Sequence, residues 1–145
     1  MTALDIIKRF EGCHRKTKDG KYTAYKCPAD VWTVGWGSTG PDVTKGTTWT
    51  KAECDARLER DAGRFTAGVQ RYAPHVSGGR RDALVSFTYN LGLAAYAGST
   101  LRRKVNEGDW PEAARQLRKW NKSGGRVLPG LVLRREVEAL LLEGG

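Results

Sequence analysis

His14-Arg15-Lys16-Thr17-Lys18-Asp19-Gly20-Lys21-Tyr22-Thr23-Ala24-Tyr25, followed by Val31-Trp32-Thr33-Val34-Gly35-Trp36-Gly37, is the stretch on which the fold turns. Asp19-Gly20 is a hairpin signal, because Asp and Gly tolerate the positive φ that a tight turn demands. The flanking residues are rich in Tyr, Thr, Val and Trp, which suit a pleated, half-buried surface. The spacing predicts three short strands in one small antiparallel sheet, the third ended by Gly35-Trp36-Gly37.

On both sides of this stretch the texture is helical. Leu4, Ile6, Ile7 and Phe10 recur at helical spacing, so residues 2–11 are expected to form a short helix stopped by Gly12. Thr50-Lys51-Ala52-Glu53 is a capping box that opens a long amphipathic helix to about Tyr72, with Pro74 beyond its end. Gly78-Gly79 precedes an almost fully apolar run from Asp82 to Leu91, which reads as a buried central helix. Ser99 starts another short helix, and Asp109 with Glu112 caps one that runs to Trp120. Asn121-Lys122-Ser123-Gly124-Gly125 reads as a loop, and Leu131 to Leu142 as the last helix. The expected architecture is α+β in a single domain over 1–145. It has a small antiparallel β-lobe over about 12–49, a connecting helix over about 50–72, and an all-helical lobe over about 73–145 that includes the N-terminal helix. A cleft is expected between the lobes.

Composition narrows the function classes. Of the 145 residues 39% are hydrophobic and 9% aromatic, enough for a packed interior, so disorder and fibrous repeats are excluded. The formal charge of +9 draws the chain toward polyanions: nucleic acid, anionic headgroups or the bacterial wall. No stretch approaches the roughly 20 apolar residues of a membrane span, so no stable membrane insertion is expected. Met1-Thr2-Ala3-Leu4-Asp5 lacks the basic start and apolar run of a signal peptide, which points to synthesis and folding in the cytoplasm. Cys13, Cys27 and Cys54 are odd in number and have no CxxC spacing, so neither a disulfide framework nor a metal site is expected.

Glu11 is the first residue with chemical potential. A carboxylate at a helix C-terminus faces the negative end of the dipole. With partial burial against Phe10, that field would raise its pKa, as a general acid requires. A surface Glu at a frayed helix end is the plainer alternative. The residues that follow bear on the choice. Glu11-Gly12-Cys13, then Ala24-Tyr25-Lys26-Cys27-Pro28-Ala29-Asp30-Val31-Trp32-Thr33-Val34-Gly35-Trp36-Gly37, resembles the catalytic segment of the phage-type lysozymes. That family has a Glu at the end of its first helix, then an Asp or Cys, five residues, and a Thr; Glu11, Cys27 and Thr33 match. The likeness continues through Ser86-Phe87-Thr88-Tyr89-Asn90-Leu91-Gly92, Gly108-Asp109-Trp110, Trp120-Asn121-Lys122 and Leu128-Pro129-Gly130-Leu131 with Arg134-Arg135.

The resemblance implies a lysozyme-like fold and a glycoside hydrolase that cuts the β-1,4 bond between N-acetylmuramic acid and N-acetylglucosamine. Glu11 would protonate the leaving oxygen, Thr33 would place the attacking water, and Cys27 would stand where many relatives have Asp. A thiolate at position 27, with Lys26 adjoining, could orient water or attack the sugar directly; otherwise Cys27 packs, and Asp30 is the nearest substitute carboxylate. Asp30 also stands at a turn position where Asp tolerates left-handed backbone. The resemblance further points to Gly37, Thr39, Tyr89 and Asn90 for substrate contact, and to Arg134 or Arg135 as a partner of Glu11. It implies no cofactor and no metal, a monomer acting on peptidoglycan glycan strands, and a cytoplasmic endolysin in the host that depends on a holin-type membrane protein for release.

Two departures stand out. Fifteen residues separate Glu11 from Cys27, where the common family pattern has eight, and Ser38 replaces a frequent His, which puts one structural ion pair in doubt. Two rival readings follow from the residues: a wall-binding relative that has lost catalysis, motivated by the thiol, and a basic nucleic-acid-binding module, motivated by Lys16, Lys18, Lys21 and Lys26 among aromatics. No recognition helix or stacking platform supports the latter, so no nucleic-acid partner is expected.

Overall fold

The computed structural model describes residues 1–144; Gly145, the last residue of the expected helical lobe, lies outside them. Helix α1 (Ala3–Glu11) opens on a reciprocal capping box between Thr2 and Asp5 and ends at Gly12, whose φ of 66° takes the chain out of the helix. Its Ile6 and Ile7 are fully buried, and its first-turn Ala3 N–H donates to the Asp82 carboxylate at 3.2 Å. That contact satisfies one of the orphan donors of the helix start.

The expected three-stranded sheet is replaced by separate two-stranded ladders. The turn at Asp19-Gly20 forms: Thr17 N–H donates to the Lys21 carbonyl at 2.7 Å, and the Thr17 hydroxyl bonds the Asp19 carboxylate. The first arm of that hairpin contributes only the Lys16–Tyr22 bridge, because Arg15 at φ 63° leaves the extended region. Strand β1 (Tyr22–Thr23) instead pairs antiparallel with β4 (Thr48–Trp49), and Ala24 N–H donates to the Thr47 carbonyl at 2.7 Å. Strand β2 (Tyr25–Lys26) pairs with β3 (Trp32–Thr33) through a tight turn at 27–31.

Helix α2 (Lys51–Tyr72) begins at the Thr50/Glu53 capping box and links this small β-lobe to the helical lobe. Arg57, on its first half, donates to the Asp61 and Asp42 carboxylates at 2.9 and 2.6 Å and to the Thr39 carbonyl at 2.7 Å. The segment after Ser38 is thereby tied to α2 by Arg57.

Helix α3 (Gly78–Leu91) starts earlier than its apolar run suggested and is buried continuously from Ala83 to Thr88. It packs against α1, α2, α4 (Leu93–Ala97) and α7 (Pro129–Gly144). Around it Phe87, Tyr96, Leu101, Val105, Leu117 and Leu142 form the core. Burying one such large side chain contributes about 1.5–3 kcal/mol. Thr88 escapes a polar penalty by donating back to the Leu84 carbonyl at 2.9 Å. Helices α5 (Thr100–Glu107) and α6 (Trp110–Arg118) complete the lobe. The segment read as a loop after Trp120 is a hairpin, β5 (Lys122–Ser123) with β6 (Arg126–Val127), whose turn residues Gly124 and Gly125 both have positive φ. The fold is α+β, with a small β-lobe, a larger helical lobe and a cleft between them.

Candidate active site

Strand alternation aligns the first two groups. Tyr25 pairs with Thr33 and the Cys27 N–H with the Val31 carbonyl, so Cys27 and Thr33 lie on one face of the β2–β3 ladder. Both line a cleft of about 480 Å³ whose walls also include Glu11, Gly37, Thr39, Tyr89, Asn90 and Arg134. Every site residue expected from the sequence therefore reaches this cleft, apart from Arg135.

Glu11 enters from the end of α1 and is fixed from two directions. The Arg134 guanidinium, 2% exposed on α7, donates to its Oε2 at 2.6 Å. On the opposite side lies the backbone of Gly37. A Cβ on Gly37 would stand 2.5 Å from Glu11 Oε1 and displace that carboxylate, and the φ of 83° favours glycine on backbone grounds. Gly35, at φ 64°, is constrained similarly by the Cys54 sulfur beneath it, 2.8 Å from where a Cβ would be. The two glycines shape the 35–37 loop of a small hairpin closed by reciprocal Val34–Ser38 backbone bonds at 2.9 Å.

Thr33 is buried, and its hydroxyl donates to the Val31 carbonyl at 2.9 Å. With its hydrogen committed, its oxygen offers lone pairs to the cleft. Cys27 is a free, half-buried thiol. Lys26, expected beside the thiol, alternates to the other face of the strand, ion-pairs with Asp30 at 3.2 Å and lies over the Trp32 ring. Asp30 is thereby turned to solvent, with φ 63°, and is a turn residue rather than a second carboxylate of the cleft.

The other two thiols have a different place. Cys13 and Cys54 contact each other away from Cys27, and burial pushes the Cys54 thiol up to about 12, so it stays protonated and unreactive. Tyr89 is half-buried and lines the cleft. Its ring packs edge-on against Phe65, burial pushes its phenol up, and its hydroxyl donates to the Trp36 carbonyl at 2.8 Å, joining the helical lobe to the 35–37 loop. Of the two arginines offered as partners for Glu11, Arg134 makes the contact. Arg135 turns inward, donating to the Asn90 side-chain oxygen at 2.9 Å and lying over the Phe87 ring.

The sequence reading had not placed Lys122, Ser123, Leu128 or Leu131 in the cleft, though they line it from the β5–β6 hairpin and the start of α7. Gly124-Gly125 between two residue pairs was the available signal; without hydrophobic alternation around it, the hairpin read as a loop.

Residues 8–138 match the family model described as phage lysozyme. The chain is 42% identical over 118 residues to a SAR-endolysin of Enterobacteria phage PA-2, covering 81% of this chain and 72% of that relative. Among solved structures, the muramidase domain of SpmX from Asticaccaulis excentricus superposes with a TM-score of 0.79 at 32% identity, covering 97% of this chain and 93% of that one. An endolysin from the Escherichia coli O157:H7 phage FAHEc1 gives 0.78 at 31% identity, covering 97% and 89%.

Proposed function

The chain belongs to the phage lysozyme family, and from that membership we infer that it is an endolysin muramidase that hydrolyses the β-1,4 bond between N-acetylmuramic acid and N-acetylglucosamine in peptidoglycan. At the coarser level it is a glycosidase-type, cell-wall-lysing endolysin. The observation that carries the finer reading is the shared cleft, in which Glu11 from α1 and Cys27 and Thr33 from one ladder face converge.

In this reading a glycan strand lies along the cleft, with Tyr89 offering a ring to a sugar face and Asn90 an amide to an N-acetyl group. Glu11 gives its proton to the glycosidic oxygen as the bond to the anomeric carbon breaks. Thr33, its own hydrogen held by Val31, accepts a hydrogen bond from the incoming water and leaves a water lone pair directed at that carbon. Cys27, as thiolate, either takes the proton of that water or adds to the carbon, giving a thioglycoside that a later water hydrolyses as the Glu11 carboxylate takes its proton. Action as a monomer on the glycan strand is part of the same proposal. The described residues contain no helix long and apolar enough to cross a membrane. Residence in the host cytoplasm and release toward the wall through a holin-type partner complete the proposal.

Purified peptidoglycan tests the bond assignment. Digestion followed by borohydride reduction and acid hydrolysis is expected to convert muramic acid, and not glucosamine, to its alditol. Loss of glucosamine instead would move the cut to the other bond, and no new reducing ends at all would leave a silent wall-binding protein.

Two substitutions probe the site further. Cys27→Asp is expected to keep activity, since a carboxylate restores the commoner arrangement, while Cys27→Ser falls by on the order of ten- to hundred-fold in initial rate. Full activity in Cys27→Ser would eliminate the thiol from the chemistry. Gly37→Ala is expected to push the Glu11 carboxylate off its position and to lower kcat by about a hundred-fold. It should also cost about 1–3 kcal/mol in denaturant unfolding through left-handed strain. A variant of normal rate would show that the 35–37 loop yields without disturbing Glu11.

A further inference from the structure

A buried charged cluster lies behind the cleft. Glu138, on α7, is fully buried, as is Ser86 on α3. The Ser86 hydroxyl donates to Glu138 Oε2 at 2.5 Å, and Arg134 Nε in turn donates to the Ser86 oxygen at 3.3 Å. A second Arg134 nitrogen donates to the Ser86 carbonyl at 3.1 Å, and its Nε lies 3.5 Å from Glu138. Arg135 Nε lies 2.7 Å from Glu138 Oε1, and its Nη2 donates to Glu138 Oε2 at 3.2 Å. Positions 134, 135 and 138 project together because three and four residues apart are neighbours on a helix. Two guanidiniums are thus balanced by two carboxylates, one of them Glu11. Burial raises the Glu138 carboxyl, opposed by Arg135, Arg134 and the Ser86 hydroxyl.

What the cluster leaves free is informative. With Nε on the Ser86 hydroxyl beside Glu138 and Nη2 on the Ser86 carbonyl, Arg134 has Nη1 for Glu11. Arg135 ion-pairs with Glu138 and uses the same Nη2 that donates to Glu138 Oε2 for Asn90, the amide on the cleft wall. We propose that Glu138 is a positioning residue for the reaction: one buried carboxylate holds Arg134 against Glu11 and Arg135 against Asn90, setting the acid and a substrate-binding amide together. It touches neither substrate nor the reacting atoms. The proposal rests on the muramidase reading.

Steady-state kinetics on solubilised peptidoglycan strands test it, with Tm recorded for every variant. Wild type that releases no reducing ends defeats the muramidase reading itself. Given an active wild type, Glu138→Gln is expected to lower kcat per folded molecule on the order of ten- to hundred-fold and to raise KM through the released Asn90. In an Arg134→Lys background, where the guanidinium held by Ser86 and Glu138 is gone, the same substitution should change kcat by less than about two-fold, the mark of coupled sites. A lowered Tm with kcat and KM unchanged would overturn the proposal, since that is what a purely structural role gives. So would equal kcat losses in both backgrounds. Should Glu138→Gln fail to fold, Ser86→Ala serves instead, because it removes the hydroxyl that links Arg134 to Glu138 while leaving both charges. A smaller kcat loss in the same direction supports the proposal, and an unchanged kcat overturns it.

Discussion

Glu11→Gln is expected to abolish release of reducing ends from peptidoglycan, with a rate loss of on the order of a thousand-fold or more, the upper range for a general acid. The amide keeps the shape of the side chain and can still accept the hydrogen bond that Arg134 now makes at 2.6 Å, so the position is held while the proton is lost. Neither of the other groups can replace that proton. The Thr33 hydroxyl is spent on the Val31 carbonyl, and the Arg134 guanidinium is committed to Glu11 and Ser86. Far-UV circular dichroism and Tm should match wild type within a few degrees. A folded Glu11→Gln that retains a tenth of the activity would remove Glu11 from the acid role and with it the central premise of the mechanism.

The second large effect falls on stability. Arg134→Met is expected to cost about 3–5 kcal/mol, because removing one partner of a buried ion pair leaves the other uncompensated. Arg134 is 2% exposed and Glu138 0%, so water cannot take over the lost interactions. Glu11, one-fifth exposed, suffers less. A loss of that size lowers Tm by about 10 °C or more in a domain of this length. Arg134→Lys does not restore it, since an ammonium cannot serve Glu11, Ser86 and Glu138 at once as the planar fork does. Denaturant titration with coincident fluorescence and circular dichroism provides the measurement. A cost below about 1 kcal/mol would mean that the cluster is solvated or rearranges, and that its contribution is that of a surface pair.

The two effects separate chemistry from scaffold at neighbouring atoms. Glu11 is constrained by Gly37 and Arg134 yet stays accessible to the cleft, whereas Arg134 is committed deep in the helical lobe. One is expected to lose activity and keep its fold, the other to lose both.

Much of this was legible in the sequence wherever the signal is short-range. The capping boxes at Thr2/Asp5 and Thr50/Glu53, the stop at Gly12 and the turn at Asp19-Gly20 act through bonds between residues a few positions apart, so residue type and spacing determine them. The Cys27-to-Thr33 spacing was legible only through the family resemblance; that the two share a ladder face follows from the register Tyr25–Thr33, which the structure supplies. Tertiary structure alone decided the rest. The partner of β1 is 25 residues distant and was invisible to alternation within its own stretch. Arg134 and Arg135 are indistinguishable as adjacent residues, and about 100° of helical rotation separates their side chains. The rotation of α7 against α3 decides between them, seating Arg135 on Phe87 and directing Arg134 to a carboxylate 123 residues away. The glycine at position 37 could be read as a turn former from its type. That it is also the wall against which Glu11 rests is a fact of close approach, which only packing can set.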